Sequence, residues 1–205
     1  VAISNQLKKE LVSRGISENK ITMVPNGIEQ AEEIIESPKF ESIQKELNQL
    51  NGEITVGYIG SLRKLEGVDM TVNAVSQLVK MDYDVKFFCL SGLDGQEDLR
   101  NYSEKIGLKN RALITGAVPH LEVKQYYDLI DIFVVSRPDY PVTRAVTPLK
   151  PFEAMSRSLP LVVSNLPALN EIVTNLETGI VIEHNELPYL VKSIENFISN
   201  KHLSQ

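Results

Sequence analysis

From residue 54 onward, short apolar runs alternate with longer amphipathic stretches, and this alternation constrains the fold more than any other feature. The apolar runs are rich in Val, Ile and Phe, and most lack a polar residue at every second position, as expected of strands covered on both faces. Strands that alternate with helices predict an α/β, Rossmann-like fold, a parallel sheet with helices on both faces. The predicted strands are 54–60, 85–91, 111–116, 131–136, 161–164 and 179–183, and the predicted helices are 68–81, 96–106, 121–130, 151–157, 168–173 and 187–199.

The chain before residue 54 does not follow this alternation. Ser4 is a candidate N-cap for a short helix that ends at Gly15. A short strand is predicted over 21–24, where a Pro-Asn-Gly sequence stops it, and one or two helices are predicted over 30–50.

Composition excludes several classes of protein. The 205 residues carry a net charge of −6, which argues against a general nucleic-acid binder, whose affinity rests on a dense Lys/Arg surface. The single cysteine, Cys89, lies in an apolar run, so we predict a buried strand residue and a cytoplasmic protein. No apolar run approaches the length of a transmembrane helix.

Ligands of such sheets bind beyond the carboxyl ends of the strands, so the loops there hold the candidate site residues. The loop 60–67 begins at Gly60, where a backbone without a side chain can approach a ligand, and it opens a helix. Arg63 and Lys64 in this loop would supply positive charge for a phosphate. The spacing matches neither G-x-G-x-x-G nor a P-loop, and an ordinary turn with two solvated cations is the alternative interpretation.

A second motif, residues 144–155, contains two prolines that favour a helix start. The amides near Lys150 are candidates to face a ligand. Glu153 lies early in the helix, and its carboxylate can accept two hydrogen bonds from a vicinal diol such as a ribose. The alternative is that Glu153 only complements the helix dipole and that Lys150 is a surface cation.

A third motif, residues 116–120, could present backbone groups to the edge of a nucleobase. His120 has no carboxylate, cysteine or second histidine nearby in sequence, so we interpret it as a helix-start residue rather than a catalyst. No metal-ligand spacing and no serine or cysteine nucleophile motif is present, and we expect no metal and no other cofactor.

The order of these motifs resembles the retaining glycosyltransferases of family four (glycosyl transferases group 1), which have the GT-B fold. The resemblance covers most of the chain, and its segments are weakly specific one by one but follow the family's order and spacing. They are 21–28 at the family's interdomain hinge, 56–62 with Gly67 in its first strand and glycine loop, 115–120 before 126–127 and 131–136, and 147–155 before 160–164 and 170–173.

The resemblance implies one half of a GT-B fold, the C-terminal donor-binding domain. Residues 1–29 would be the tail of an N-terminal domain and the hinge, and residues 30–205 the Rossmann-like domain that binds a nucleotide-diphosphate sugar. An N-terminal domain outside this sequence would hold the acceptor, and the full-length enzyme would associate peripherally with a membrane. Cationic side chains and helix dipoles, rather than a metal, would carry the leaving diphosphate.

Roles follow from the same resemblance. Glu153 would bind the donor ribose, and Val118 and Pro119 would line the base-binding loop. The phosphates and sugar would contact the two other motifs, through Gly60, Ser61, Arg63, Lys64, Arg144, Thr147, Pro148, Leu149 and Lys150.

The sequence departs from the family pattern at three positions. Family members often carry two glutamates separated by seven residues, and Ala145 stands where the first would contact the transferred sugar. Ser61 and Glu66 stand where cations are usual, so Arg63, Lys64, Arg144 or Lys150 would substitute. Because an inward Glu66 would repel a diphosphate, we expect its side chain to face solvent.

Two other functions remain open at this point. A nucleotide-sugar epimerase would share the architecture but needs a base near the sugar carbon. A non-catalytic nucleotide-sugar-binding module is made plausible by Ala145. A dinucleotide-dependent oxidoreductase is disfavoured because the glycine fingerprint is missing.

Overall fold

The computed structural model describes residues 1–28 and 37–199, and its centre is a six-stranded parallel sheet. The strand order is β3-β2-β1-β4-β5-β6, and every neighbouring pair is parallel. The α/β, Rossmann-like prediction is therefore confirmed. The strands are β1 (Ile54–Ile59), β2 (Val85–Leu90), β3 (Ala112–Thr115), β4 (Ile132–Val135), β5 (Leu161–Ser164) and β6 (Ile180–Ile182).

Most predicted helices form within a residue or two of their predicted ends. The predicted helix 121–130 instead folds as a 3-10 helix over His120–Leu129, and α5 (Pro141–Ala145) was not predicted. The segment 21–24 contributes only an isolated bridge between Met23 and Ala2. The α-helices are α1 (Asn5–Ser13), α2 (Pro38–Asn48), α3 (Val68–Lys80), α4 (Gln96–Lys105), α5, α6 (Lys150–Ser156), α7 (Pro167–Asn170) and α8 (Leu187–Ser199).

An apolar core covers each face of the sheet. One core joins β1, β2 and β4 to α3 and α8, and it buries Val72 and Val75 of α3 together with Cys89 of β2. The other core packs the opposite faces of β2, β4 and β5 against α2, α6 and α7. Burial on both faces explains why these strands lack alternation. Within residues 1–28 and 37–199, no helix is both long and apolar enough to cross a bilayer.

The strand order reverses at β1, which pairs with β2 on one side and with β4 on the other. Connections leave β1 and β4 toward opposite sides of the sheet, so a crevice opens at their carboxyl ends. Gly60 follows β1 and Arg137 follows β4, and both therefore lie at this crevice. The topology thus selects the loops in which a ligand site is expected.

The segment 1–28 is hydrogen-bonded to the rest of the molecule through the start of α1. The Ser4 hydroxyl accepts from the Leu7 amide, as predicted for the N-cap, and donates to the carbonyl of Ala145. The Asn5 and Gln6 amides donate to the Glu171 carboxylate, at 2.8 and 3.2 Å. The first amides of a helix have no acceptor within the helix itself. In α1, the Asn5 and Gln6 amides find theirs in Glu171, which lies 166 and 165 residues away in the sequence.

Substitution of Glu171 by Gln should loosen the start of α1. The charged cap would be lost from the positive end of the helix dipole, at a typical cost of about 1 kcal/mol. Amide hydrogen exchange at Asn5 and Gln6 should become about fivefold faster for that cost. Glu177→Gln, which removes the same charge from another exposed site, is the control and should leave both amides unchanged. Equal exchange in the wild type and Glu171→Gln would contradict the capping role.

Candidate functional site

A cavity of about 460 Å³ lies at the carboxyl ends of β1, β2 and β4. Six residues predicted for the site line it, and they come from all three sequence motifs. They are Gly60, Val118, Pro148, Leu149, Lys150 and Glu153. His120, which begins the 3-10 helix as expected, lines the cavity as well.

Six other predicted site residues lie outside this cavity lining. Arg63 and Lys64 line a second cavity of about 560 Å³ beside α3 and α4. Arg144 lines a third, of about 800 Å³, between α1 and α5, where it pairs with Asp139. The remaining three are Ser61, Pro119 and Thr147. The Ser61 carbonyl accepts from the Tyr58 hydroxyl, and Pro119 caps the 3-10 helix. Thr147 is buried, and its carbonyl accepts from the Asn26 side chain.

Of the four cations predicted for the site, Lys150 is the one that lines this cavity. Its side chain is 18% exposed, and its Nζ lies 3.5 Å from Glu66 Oε2 and 5.6 Å from the centre of the Tyr58 ring. A Cβ at Gly60 would lie 2.1 Å from Lys150 Cε, so the glycine leaves room for this chain to pass. Burial lowers the pKa of the Lys150 ammonium below its ordinary 10.5, and Glu66 offsets only part of that effect.

The expectation that Glu66 faces solvent is wrong. Its side chain is buried, and both carboxylate oxygens accept from Arg137, with Oε2 3.0 Å from Nε and Oε1 2.9 Å from Nη2. Burial by itself would raise the pKa of the Glu66 carboxyl, but the hydrogen bonds from Arg137 and the charge of Lys150 hold it below its ordinary 4.5. Glu66 is buried because it has a cationic partner far along the chain, which neutralises its charge.

That partner, Arg137, is the main site residue that the sequence analysis missed. It lines the cavity, is 6% exposed and donates from Nη1 to the Val146 carbonyl at 3.3 Å. Its hydrogen bonds therefore connect the loop after β4, in which it lies, to the loop after β1 and to the turn before α6. Its position directly after the predicted strand 131–136 was a signal that could have identified it.

Glu153 is held by a buried tyrosine. The Tyr127 hydroxyl donates to Glu153 Oε2 at 2.5 Å, and the Tyr127 ring packs against Phe133. In the described part of the chain, no hydrogen bond reaches Oε1 of Glu153. The carboxylate is thus fixed by one oxygen, while the other can accept from a ligand in the cavity.

Ser91 at the end of β2 was also missed. The carbonyls of Ser91 and Gly92 accept from the Gln96 side chain at 2.9 and 2.8 Å. The buried Ser91 hydroxyl has no partner among the described residues, although it belongs to the cavity lining. A buried hydroxyl without a partner is costly, so this group is available to a ligand.

The cavity therefore combines a buried ammonium, a carboxylate with a free oxygen and apolar walls that include Val118 and Leu90. A ligand that carries phosphate, hydroxyl groups and a flat apolar part matches this combination. Among residues 1–28 and 37–199, no group of three or more His, Cys, Asp or Glu side chains is placed to hold a metal ion.

Comparison with known proteins gives one family. Residues 39–205 match the family model described as Glycosyl transferases group 1. The capsular polysaccharide biosynthesis glycosyltransferase CapM of Staphylococcus aureus is 23% identical over 100% of this chain and 53% of its own length. A putative teichuronic acid biosynthesis glycosyltransferase of Bacillus subtilis, TuaH, is 29% identical over 82% of this chain and 41% of its own. The chain thus spans about half of these relatives or less.

Solved structures share the fold. HepE from Anabaena in complex with UDP superposes with a TM-score of 0.78 at 18% identity, over 98% of this chain and 54% of HepE. The C-terminal domain of LpcC, a group 1 family protein from Francisella tularensis, gives a TM-score of 0.62 at 20% identity, over 78% of this chain and 84% of that domain.

The buried Glu66 should make stability sensitive to acid. Because its pKa is lower in the folded protein than in the unfolded chain, the unfolded chain binds more protons in the range between the folded pKa and the ordinary 4.5. The contribution is complete above that pH and is lost as the pH falls through the folded pKa, with a slope of at most about 1.4 kcal/mol per pH unit. Urea unfolding between about pH 6 and 3 should reveal this slope.

Two variants test whether Glu66 causes this dependence of the unfolding free energy on pH. Glu66→Gln should be less stable than the wild type at neutral pH, since Arg137 and Lys150 lose a buried counter-charge, and its stability should fall less steeply in acid. Asp128→Asn removes an exposed partner of Arg157 and should leave the slope as it is. An acid slope in Glu66→Gln equal to that of the wild type would assign the effect to other carboxyls.

Proposed function

The chain belongs to the group 1 glycosyltransferases, and from that membership and the cavity we propose that it binds the sugar donor of a two-domain enzyme. The reaction would move a sugar from a nucleoside-diphosphate sugar to an acceptor. The observation that carries the proposal is the meeting of Lys150 and Glu153 in one cavity at the reversal of strand order. A cation beside a carboxylate suits a diphosphate that is linked to a ribose.

In this arrangement Glu153 accepts hydrogen bonds from the ribose hydroxyls, oriented by Tyr127. Lys150 contacts the diphosphate and stabilises the negative charge that grows on it as the sugar leaves. Because the ammonium is buried, its interaction with that charge is stronger than it would be in water. As the resemblance to family four implies, we expect transfer to need no metal ion.

The base lies against the apolar side of the cavity at Val118, where Ser91 offers its unpaired hydroxyl. HepE, which shares this fold, has been solved with UDP and with UDP-glucose. Uridine nucleotides are therefore the first ligands to test with this chain.

We assign the chain to the C-terminal half of the enzyme, with residues 1–29 as interdomain tail and hinge. Two findings support this assignment: the relatives are about twice as long as the chain, and the fold matches the C-terminal domain of LpcC. The acceptor would bind to the other half, and retention of anomeric configuration follows from the resemblance to family four.

Ala145 favours one second candidate, a module that binds nucleotide sugars without transferring them. Its side chain has no carboxylate to contact the transferred sugar, and its carbonyl accepts from Ser4. An epimerase is not favoured, because the family is one of transferases.

Glu153→Gln should weaken binding of a nucleoside diphosphate. A hydrogen bond to a charged group contributes about 1.5–3 kcal/mol, so the dissociation constant should rise about tenfold or more. Calorimetry with UDP and GDP measures it, and Glu41→Gln on the exposed face of α2 is the control. An unchanged affinity in Glu153→Gln would remove the ribose assignment.

The 205-residue chain should bind a donor without transferring its sugar. Holding both reactants in register accounts for about 7–11 kcal/mol of a barrier, and one wall of the cleft cannot do this. Thermal-shift measurement with candidate donors detects binding, and subsequent incubation with a saccharide or membrane acceptor extract detects sugar transfer. Efficient transfer by this chain would place the whole active site within it. Binding without transfer by the full-length protein would instead support the non-catalytic module.

A further inference from the structure

In the buried cluster of Glu66, Arg137 and Lys150, a carboxylate pairs with the two cations that line the cavity to which we assign an anionic ligand. The negative charge of the Glu66 carboxylate would by itself weaken the binding of a phosphate. We propose that Glu66 is a positioning residue that keeps the Lys150 ammonium charged and directed at the donor diphosphate. This inference rests on the proposed function and explains how the site operates with Glu66 at a position where the resembling family usually carries a cation.

The first step concerns the charge on Lys150. Removing an ammonium from water favours its neutral form, and Arg137 nearby acts in the same direction. Two carboxylates oppose these effects: Glu66, at 3.5 Å from Nζ, and Glu153 on the same helix. The remaining neighbour is the Tyr58 ring, whose face attracts a cation. Glu66 is thus the main group that keeps a positive charge at this buried position.

The second step concerns the direction of the ammonium. Arg137 donates one hydrogen bond to each Glu66 oxygen through its fork, at 2.9 and 3.0 Å. Lys150 Nζ stands farther off, at the limit of hydrogen bonding. Glu66 therefore gives Lys150 a counter-charge while most of the ammonium's N–H groups stay available. Gly60 and Tyr58 lie beside the Lys150 side chain. Lys150 lines the cavity, so a phosphate bound there can accept from its free N–H groups.

The third step concerns the balance of charge. Arg137 and Lys150 together carry two positive charges and Glu66 carries one negative charge, so the cluster remains positive by one. Arg137 holds Glu66 in place, which keeps the carboxylate from closing a tight pair with Lys150. The cluster therefore presents a positive charge to the diphosphate, beside the Glu153 carboxylate that we assign to the ribose.

The experiment is a pH profile of UDP affinity, measured by calorimetry between about pH 6 and 9, below the pH at which the uracil ring itself loses a proton. An opposite charge at this range typically moves a pKa by about 1–3 pH units. The affinity of Glu66→Gln should therefore begin to fall at a lower pH than that of the wild type, with a loss of about tenfold or more by pH 9. Glu66→Gln/Lys150→Arg should regain a flat profile, because arginine stays protonated throughout this range. Glu66→Asp, which keeps the charge, should stay close to the wild type.

Superimposable profiles for the wild type and Glu66→Gln would overturn the inference, as would a double variant that still loses affinity in alkali. Asp128→Asn is the matched surface control and should not move the profile. Absence of UDP and GDP binding by the wild type would count against the proposed function itself. In that case NMR titration of the Lys150 Cε signal still decides the role of Glu66, since its midpoint must fall in Glu66→Gln. If Glu66→Gln does not fold, the wild type itself gives the test: a Lys150 Cε midpoint at or below neutral pH would overturn the inference, because Glu66 would then fail to keep the ammonium charged.

Discussion

The ion pair between Glu66 and Arg137 is the interaction on which the candidate site depends. A buried charge without a partner is far more costly than a buried pair, so each of these residues requires the other. The pair also fixes geometry, because Arg137 bonds the Val146 carbonyl as well as Glu66. The loops that follow β1 and β4 and the turn that precedes α6 therefore form one structure, and the cavity lies among them.

The fold could be predicted from the sequence because its signals are local. Runs such as the one around Cys89 are apolar throughout, and this follows from burial on both faces of a parallel sheet. Half of the predicted site residues, including Lys150 and Glu153, meet in one cavity for a related reason: the carboxyl ends of parallel strands share one edge. The direction of Glu66 could not be predicted, because its partner lies 71 residues away. Arg63 and Lys64 belong to the same loop but to a different cavity, and loop charge alone does not specify which way a side chain points.

Membership of the group 1 family and the geometry of the cavity both support the proposed nucleotide-sugar site. The family match covers residues 39–205, whereas the pairing of Glu153 with Tyr127 and the burial of Lys150 are features of the folded chain. The departures from the family pattern have physical counterparts in the structure. Glu66 is balanced by Arg137, and the carbonyl of Ala145 is engaged by Ser4.

The attachment of residues 1–28 has a consequence for protein engineering. Ser4 and Asn26 bond the carbonyls of Ala145 and Thr147, on either side of the carbonyl held by Arg137. A chimera joined after residue 28, at the apparent boundary between segment and domain, would replace these contacts with those of another protein. The turn would then be supported from one side only. A module that is to be exchanged among relatives with its candidate site intact should therefore carry its own α1 and Asn26 along with the sheet.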